Sequence, residues 1–107
     1  MSEWTVTIHT LAEAELQALP ADMRARFLHI GELLEAFGPQ KVGLPHVRPL
    51  EGKLWEMRMR GRDGIARAVY AAVQGRTLVV LHVFVKKTQT TPRAAIETAR
   101  KRLETMP

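Results

Sequence analysis

The sequence predicts an α+β fold in which a strand and two helices precede a strand meander and a final helix. The first forty residues contain a short alternating run, Trp4 to Ile8, and then two segments with apolar residues at helical spacing. Residues 53–86 contain three β-like runs separated by glycine-bearing turns, and Thr91-Pro92 opens a last helical segment. The order β-α-α-β-β-β-α is an α+β layout, and residues 1–107 are expected to form a single domain.

The front of the chain is expected to form one strand and an antiparallel helix pair. A helix is predicted from Thr10, because Glu13 follows at the spacing of a capping box, and Pro20 ends it. A second helix is predicted from Asp22 to the stop at Gly38. We expect the core to use the apolar stripes of both helices fully.

Residues 39–52 contain three prolines and two glycines, a composition typical of an ordered surface loop. Such a length without regular structure is unusual in a compact protein, so the loop is expected to be functional or pinned to the sheet.

The meander is predicted over residues 53–60, 65–73 and 77–86. In its first strand the odd residues 55, 57 and 59 are apolar and share one face, which leaves Glu56, Arg58 and Arg60 on the other. The last run is almost wholly apolar, so a central strand covered on both faces is expected. The N-terminal strand is expected to pair with the meander, the helix pair to cover one sheet face, and the other face to carry outward polar residues. The final helix is expected to continue to about Glu104.

Charge is distributed unevenly along this chain, whose net charge is +5. Residues 1–40 hold two arginines against six acids, whereas residues 41–107 hold fourteen lysines and arginines against five acids. This asymmetry suggests a positive electrostatic field focused on one surface, which would suit the binding of a polyanion. An ordinary basic surface of solvated lysines and arginines would give the same composition.

Several classes of site are excluded or disfavoured by composition. The absence of cysteine excludes disulfides and thiolate metal sites, and the four histidines lack metal-ligand spacing, so neither metal nor cofactor is expected. The longest apolar runs are too short to span a bilayer, and no basic segment followed by an apolar leader begins the chain. A cytoplasmic protein without a membrane partner is therefore expected.

Cations projected from neighbouring strands form the strongest candidate site. Arg58 and Arg60 share a strand face with Glu56, and Arg67 is the charged residue inside an otherwise apolar and aromatic strand. A charge in such a strand needs a partner or a solvent-open cleft. Since Lys86 ends the adjacent strand, these positions are expected to converge on one concave basic patch.

Cleavage of an RNA backbone is the chemistry that suits this patch. The 2′-hydroxyl attacks the neighbouring phosphorus, so arginine would clamp the phosphate, and a lysine crowded by cations would move a proton. Glu56 would serve as a base or orient an arginine, and Tyr70 would stack on a base or donate its phenol proton. Structural alternatives remain open: a plain salt bridge of Glu56 with Arg58 or with Arg67, and a core position for Tyr70. The candidate catalytic residues are Arg67, Arg58, Lys86, Glu56 and Tyr70, and the candidate RNA-binding residues are Lys53, Arg60, Lys87, Thr88, Gln89 and Arg93.

Three blocks of the sequence resemble one family: residues 52–58 (GKLWEMR), 64–70 (GIARAVY) and 81–92 (LHVFVKKTQTTP). Together and in this order they are similar to the phage-derived, HigB-like branch of the RelE/ParE toxin superfamily. The resemblance implies a compact RelE/ParE-like fold and the toxin of a type II toxin–antitoxin system, which cleaves mRNA on the ribosome and is neutralised by a helix-turn-helix antitoxin. It matches Arg67 to a superfamily arginine that shortly precedes a strand tyrosine, here Tyr70, and Arg58 and Lys86-Lys87 to cationic positions. This chain departs from some relatives because no late tyrosine or histidine follows the final strand as a general base.

Two alternatives to an mRNA-cleaving toxin remain. Members of the ParE branch share the fold and inhibit DNA gyrase by protein binding, and a non-catalytic basic RNA-binding domain would also explain the charge. For either toxin, a complex with the antitoxin is expected rather than a stable homo-oligomer.

Overall fold

The computed structural model describes residues 4–43, 45–86 and 90–106, with Lys86 described by its backbone. Nine elements follow one another along this part of the chain. They are β1 (Thr5–Ile8), α1 (Thr10–Gln17), α2 (Ala21–Phe37), α3 (Pro39–Val42), β2 (Val47–Glu51), β3 (Leu54–Gly61), β4 (Gly64–Ala72), β5 (Thr77–Lys86) and α4 (Arg93–Glu104). The α+β class predicted from the sequence is confirmed.

The strands form a five-stranded sheet in the order β1-β5-β4-β3-β2. The first strand pairs with the meander as expected, parallel to β5, with Thr5 opposite Thr77. The remaining neighbours are antiparallel. The apolar β5 therefore has a strand on each side, which agrees with its prediction as a central strand.

One face of the sheet, called here the helix face, packs against α1 and α2. Leu16 and Phe27 from the helices join Met57 and Tyr70 from the strands in one buried cluster. The side chains follow strand alternation, so apolar residues of β3 and β4 at this face come from every second position.

The opposite face, called the α4 face, differs from the expectation of an outward polar surface. Helix α4 covers part of it, and Ile96 and Ala99 pack with Leu54, Val69 and Leu81 in a second buried cluster. The helix has a pronounced apolar stripe, so it needs a sheet face to bury. This second layer changes the environment of the charged strand residues described below.

Residues 39–52 were predicted as a loop, but they contain α3 and β2. Strand β2 pairs with β3 at the edge of the sheet, Val47 opposite Met57. An edge strand tolerates Pro49, whose missing N–H removes no bond from a central ladder. The proline-rich sequence of this segment therefore indicated a loop where the structure has an edge strand. The expectation that the segment is pinned to the sheet is confirmed.

The helix surfaces also depart from expectation, because the core does not use their apolar residues fully. Leu11 and Phe37 are more than half exposed, and Leu28 is 66% exposed. Within the described residues, no helix is both long enough and apolar enough to cross a membrane.

Candidate functional site

Arg58 of β3 and Arg67 of β4 lie directly opposite each other in the sheet. Strand alternation places both on the α4 face, in line with Leu54 and Val69 of the apolar core on that face. Like charges at opposed positions repel, so this pairing needs compensation from an anion. The structure thus brings these two predicted residues together, but Arg67 is fully buried and does not line an open concave patch.

Glu56 supplies part of that compensation within a group of four residues called here the buried cluster: Glu56, Arg67 and Thr91 are buried, and Arg48, 37% exposed, joins them from the surface. Its Oε1 lies 3.3 Å from Nε of Arg48 and 3.7 Å from Nε of Arg67. Its other oxygen accepts a hydrogen bond from the Thr91 hydroxyl, which in turn accepts one from Nη1 of Arg67 at 3.3 Å. Three strands and the segment leading into α4 are thereby joined through one carboxylate.

Arg67 is fully buried, so the expectation of a partly exposed phosphate clamp is wrong. Burial lowers the pKa of its guanidinium, an effect that Glu56 opposes and that Arg58 and Arg48 reinforce. The alternative in which Arg67 partners Glu56 describes the observed geometry. Glu56 is buried as well and is occupied by these contacts, so it orients arginines and is not available as a general base.

Arg58 has a different environment from Arg67, because it lines a cleft of about 140 Å³ that we call the basic cleft. The lining residues are Arg26, Pro45, His46, Arg58, Arg60 and Ile65. Nε of Arg58 is buried and has no hydrogen-bond partner among the described residues. Arg60, predicted to bind RNA, is exposed at the same cleft.

Tyr70 lies on the other side of the sheet from this site. Its side chain is fully buried on the helix face, where its ring stacks on Trp55 with centroids 6.5 Å apart. Burial raises the pKa of its phenol above the ordinary value. The prediction that Tyr70 stacks on a base or donates a proton to the substrate is therefore wrong, and the core alternative is correct.

Two predicted RNA-binding residues lie away from the basic cleft. Lys53 is exposed in the turn before β3, at the opposite end of that strand from Arg60 and so roughly 23 Å away at about 3.3 Å per residue. Arg93 makes a two-point contact with Glu51, with Nη1–Oε1 at 2.5 Å and Nη2–Oε2 at 3.2 Å. This contact raises the pKa of Arg93, so its charge is already matched by a carboxylate.

Lys86 ends β5, where its backbone pairs with Ile65, two residues before Arg67 on β4. The side chain of Lys86, together with Lys87, Thr88 and Gln89, lies outside the described residues. Their catalytic and RNA-binding roles remain predictions.

A second charged network closes the edge of β5 beyond the end of β1. Glu15 of α1 accepts hydrogen bonds from the Val83 N–H at 2.9 Å and from Nη1 and Nη2 of Arg102 at 2.9 and 3.0 Å. Nδ1 of His82 lies 3.0 Å from the same carboxylate. Partial burial opposes ionisation of Glu15, but these donors outweigh it and hold its pKa below the ordinary value. The network ties α1 to α4 across the sheet.

Sequence reasoning missed Arg26, His46, Arg48 and Thr91. Arg26 belongs to the acidic front half of the chain, and His46 and Arg48 belong to the segment predicted as a loop. Only the strand assignment of residues 47–51 would have placed Arg48 opposite Glu56. Within the described residues, no group of three or more acidic or histidine side chains is placed to hold a metal ion.

Comparison with known proteins gives one family and two similar folds. A family model of phage-derived, Gp49-like proteins matches residues 14–104. A mutant of the E. coli toxin RelE in the free state is similar with a TM-score of 0.67 and 16% identity, over 94% of this chain and 98% of that one. RelE in an archaeal RelE–RelB complex from Pyrococcus horikoshii is similar with a TM-score of 0.58 and 26% identity, over 81% of this chain and 98% of that one. No curated protein sequence matches the chain. The fold is therefore that of RelE.

Proposed function

Because the chain belongs to the phage-derived Gp49-like family, we propose that it is the toxin of a type II toxin–antitoxin pair. More specifically, we propose a HigB-like, ribosome-dependent endoribonuclease that cleaves mRNA and so inhibits translation. Support comes from the similar fold of a protein named as a toxin, E. coli RelE, and from the sequence blocks at residues 52–58, 64–70 and 81–92.

The observation that carries the proposal is the opposed pair of Arg58 and Arg67. Glu56 compensates the buried Arg67, whereas the described residues offer Arg58 no such partner. An uncompensated guanidinium beside a second cation attracts a phosphate, and its planar donors match two phosphate oxygens. Metal-free cleavage needs such a group, because the phosphorane formed by 2′-hydroxyl attack carries additional negative charge.

In this mechanism Arg58 contacts the scissile phosphate. The 2′-hydroxyl gives its proton to a proton-transfer group as its oxygen bonds to phosphorus, the P–O5′ bond breaks to leave a 2′,3′-cyclic phosphate, and the same group passes the proton to the 5′-oxygen. Lys86 is the proposed proton-transfer group, since β5 ends beside Ile65 at the same end of the sheet. Glu56 and Arg67 act as positioning residues, which hold the strand positions around Arg58 through the buried cluster.

We propose an antitoxin as the partner of this chain. The P. horikoshii relative forms a complex with RelB, and the sequence resemblance implies a helix-turn-helix antitoxin. More than half of the Leu28 side chain is exposed on α2, which leaves apolar surface for a partner. We propose a heteromeric complex rather than a stable homo-oligomer, acting in the cytoplasm on ribosomes and mRNA.

Induced expression of the chain alone in a bacterium tests this function. Incorporation of labelled amino acid should stop within minutes while thymidine incorporation continues, and primer extension should reveal new 5′ ends within translated mRNAs. Intact mRNA with arrested replication would instead indicate gyrase inhibition. Normal growth with abundant, folded protein would contradict any toxin function.

A further inference from the structure

The basic cleft lies where β2 stops pairing with β3. The register begins with Val47 opposite Met57, so Arg58 and Arg60 extend beyond the end of β2. Helix α2 contributes Arg26 to one wall, and the segment before β2 contributes His46 to another. The cleft thus opens at the sheet edge and shares Arg58 with the site described above.

The charge in this cleft is not neutralised within the described residues. Its lining contains three arginines and no acid. Elsewhere in the molecule Arg93, Arg100 and Arg102 each pair with a glutamate. Gathering unpaired guanidinium groups around a concavity is unfavourable unless an anion enters it.

The size of the cleft and the residues in its walls indicate which anion it can bind. A cleft of about 140 Å³ has room for several waters and admits a phosphate group. The imidazole of His46 is half-buried in its wall, with the ring of exposed His29 edge-on at a centroid distance of 6.5 Å. Histidine rings stack on unpaired RNA bases, so the wall offers a surface for a base beside the arginines that hold a phosphate.

We propose that the basic cleft binds a phosphodiester of single-stranded RNA, next along the RNA to the scissile phosphate that Arg58 contacts. The position of this phosphodiester beside the scissile phosphate rests on the proposed function, whereas the binding of RNA in the cleft does not. Arg26 and Arg60 hold the phosphate, Arg58 connects the two positions, and His46 lies against the adjacent base. RNA is favoured over an acidic segment of a protein because the cleft is continuous with the strand face and combines cations with an imidazole wall.

Binding of a fluorescent 2′-O-methyl RNA hexamer to the purified chain tests the proposal, since this RNA lacks the attacking hydroxyl. Arg26→Gln and Arg60→Gln should each weaken binding about ten-fold at low salt, the effect of losing one charge-assisted contact. Each should also reduce the log–log salt slope by about 0.7, the value for one contact to a single strand. Arg76→Gln is the matched control. Arg76 is exposed in the β4–β5 turn, so this substitution removes the same charge at a position away from the cleft. Thermal melting should show that all three variants fold, because Arg26 and Arg60 have no side-chain ion pair within the described residues.

The outcomes separate this proposal from the proposed cleavage. Arg26-dependent binding by a chain that cleaves no mRNA would support the cleft and contradict the nuclease. Equal losses for Arg76→Gln and the cleft variants, or no hexamer binding by the native chain, would overturn the cleft whatever the chain cleaves. Equally tight, Arg26-dependent binding of an acidic peptide of the same charge would assign the cleft to a protein partner and overturn the proposal.

Discussion

Glu56 and Arg67 are both fully buried, with Oε1 and Nε 3.7 Å apart. Neither charge has access to solvent, so each depends on the other and on the neighbouring Arg48 and Thr91. Removing one partner of a buried pair leaves the other charge uncompensated, which is more costly than losing the attraction alone. The buried cluster therefore ties the stability of the protein to the geometry around Arg58.

Glu56→Gln should destabilise the protein by about 3–5 kcal/mol, because Arg67 would keep its charge without a carboxylate. Urea denaturation at neutral pH measures the change. Glu97→Gln is the control: its carboxylate on α4 is 42% exposed, and its ion pairs with Arg93 and Arg100 should be worth less than about 1 kcal/mol. Equal stability of Glu56→Gln and the native chain would contradict the importance of the buried cluster.

Thr91→Val should lower stability by about 1–3 kcal/mol at nearly unchanged side-chain volume. The Thr91 hydroxyl donates to Glu56 and accepts from Arg67, so valine leaves buried polar atoms short of a partner. Thr98→Val in α4 serves as the comparison, because that hydroxyl bonds to the Ala94 carbonyl on the same helix. A loss of stability at Thr98 as large as that at Thr91 would contradict the special role of the buried cluster, because the Thr98 hydroxyl takes no part in it.

The Glu15 network should make stability depend on pH. Because Arg102, the Val83 N–H and His82 hold the folded-state pKa of Glu15 below its ordinary value of 4.5, the carboxylate stabilises the fold above that pH. This contribution should be lost as the pH falls through the folded-state pKa. The native chain should therefore be more stable than Glu15→Gln at pH 7, and the difference should shrink below pH 4.5. A stability gap between the native chain and Glu15→Gln that stays constant as the pH falls would contradict the account.

Two glycine-to-alanine substitutions should change the stability of the protein in opposite directions. An alanine Cβ at Gly31, in the middle of α2, would meet no atom within 4 Å, so the gain in helix propensity should stabilise by up to about 1 kcal/mol. At Gly61 the added Cβ would lie 2.7 Å from Cγ of Met23 and 2.9 Å from Oδ2 of Asp22. Gly61→Ala should thus push the β3–β4 turn away from α2 and destabilise, as thermal melting would show. Equal melting temperatures of the two variants would contradict this packing.

Local sequence signals predicted much of the fold but little of the burial at the site. Alternation in residues 53–60 placed Glu56 and Arg58 on one face, and the register confirms that Arg58 opposes Arg67. The same pattern could not reveal that α4 covers this face, because a helix docking position depends on contacts distant in sequence. Arg67 was accordingly expected in an open cleft and is buried. The strand holding Arg48 was missed because Pro49 is a local signal against pairing, whereas its tolerance depends on the edge position.

The most direct test of the central claim is cleavage of a defined mRNA by the purified chain on translating ribosomes, mapped by primer extension. The native chain should cut within the ribosome-bound codon without added metal beyond what the ribosomes require. Arg58→Gln should cut about 10²–10³ times more slowly, because it removes one donor to the developing charge. It should melt close to the native temperature, since Arg58 has no ion pair within the described residues. Cleavage by Arg58→Gln at the native rate, or intact mRNA with the folded native chain, would contradict the account.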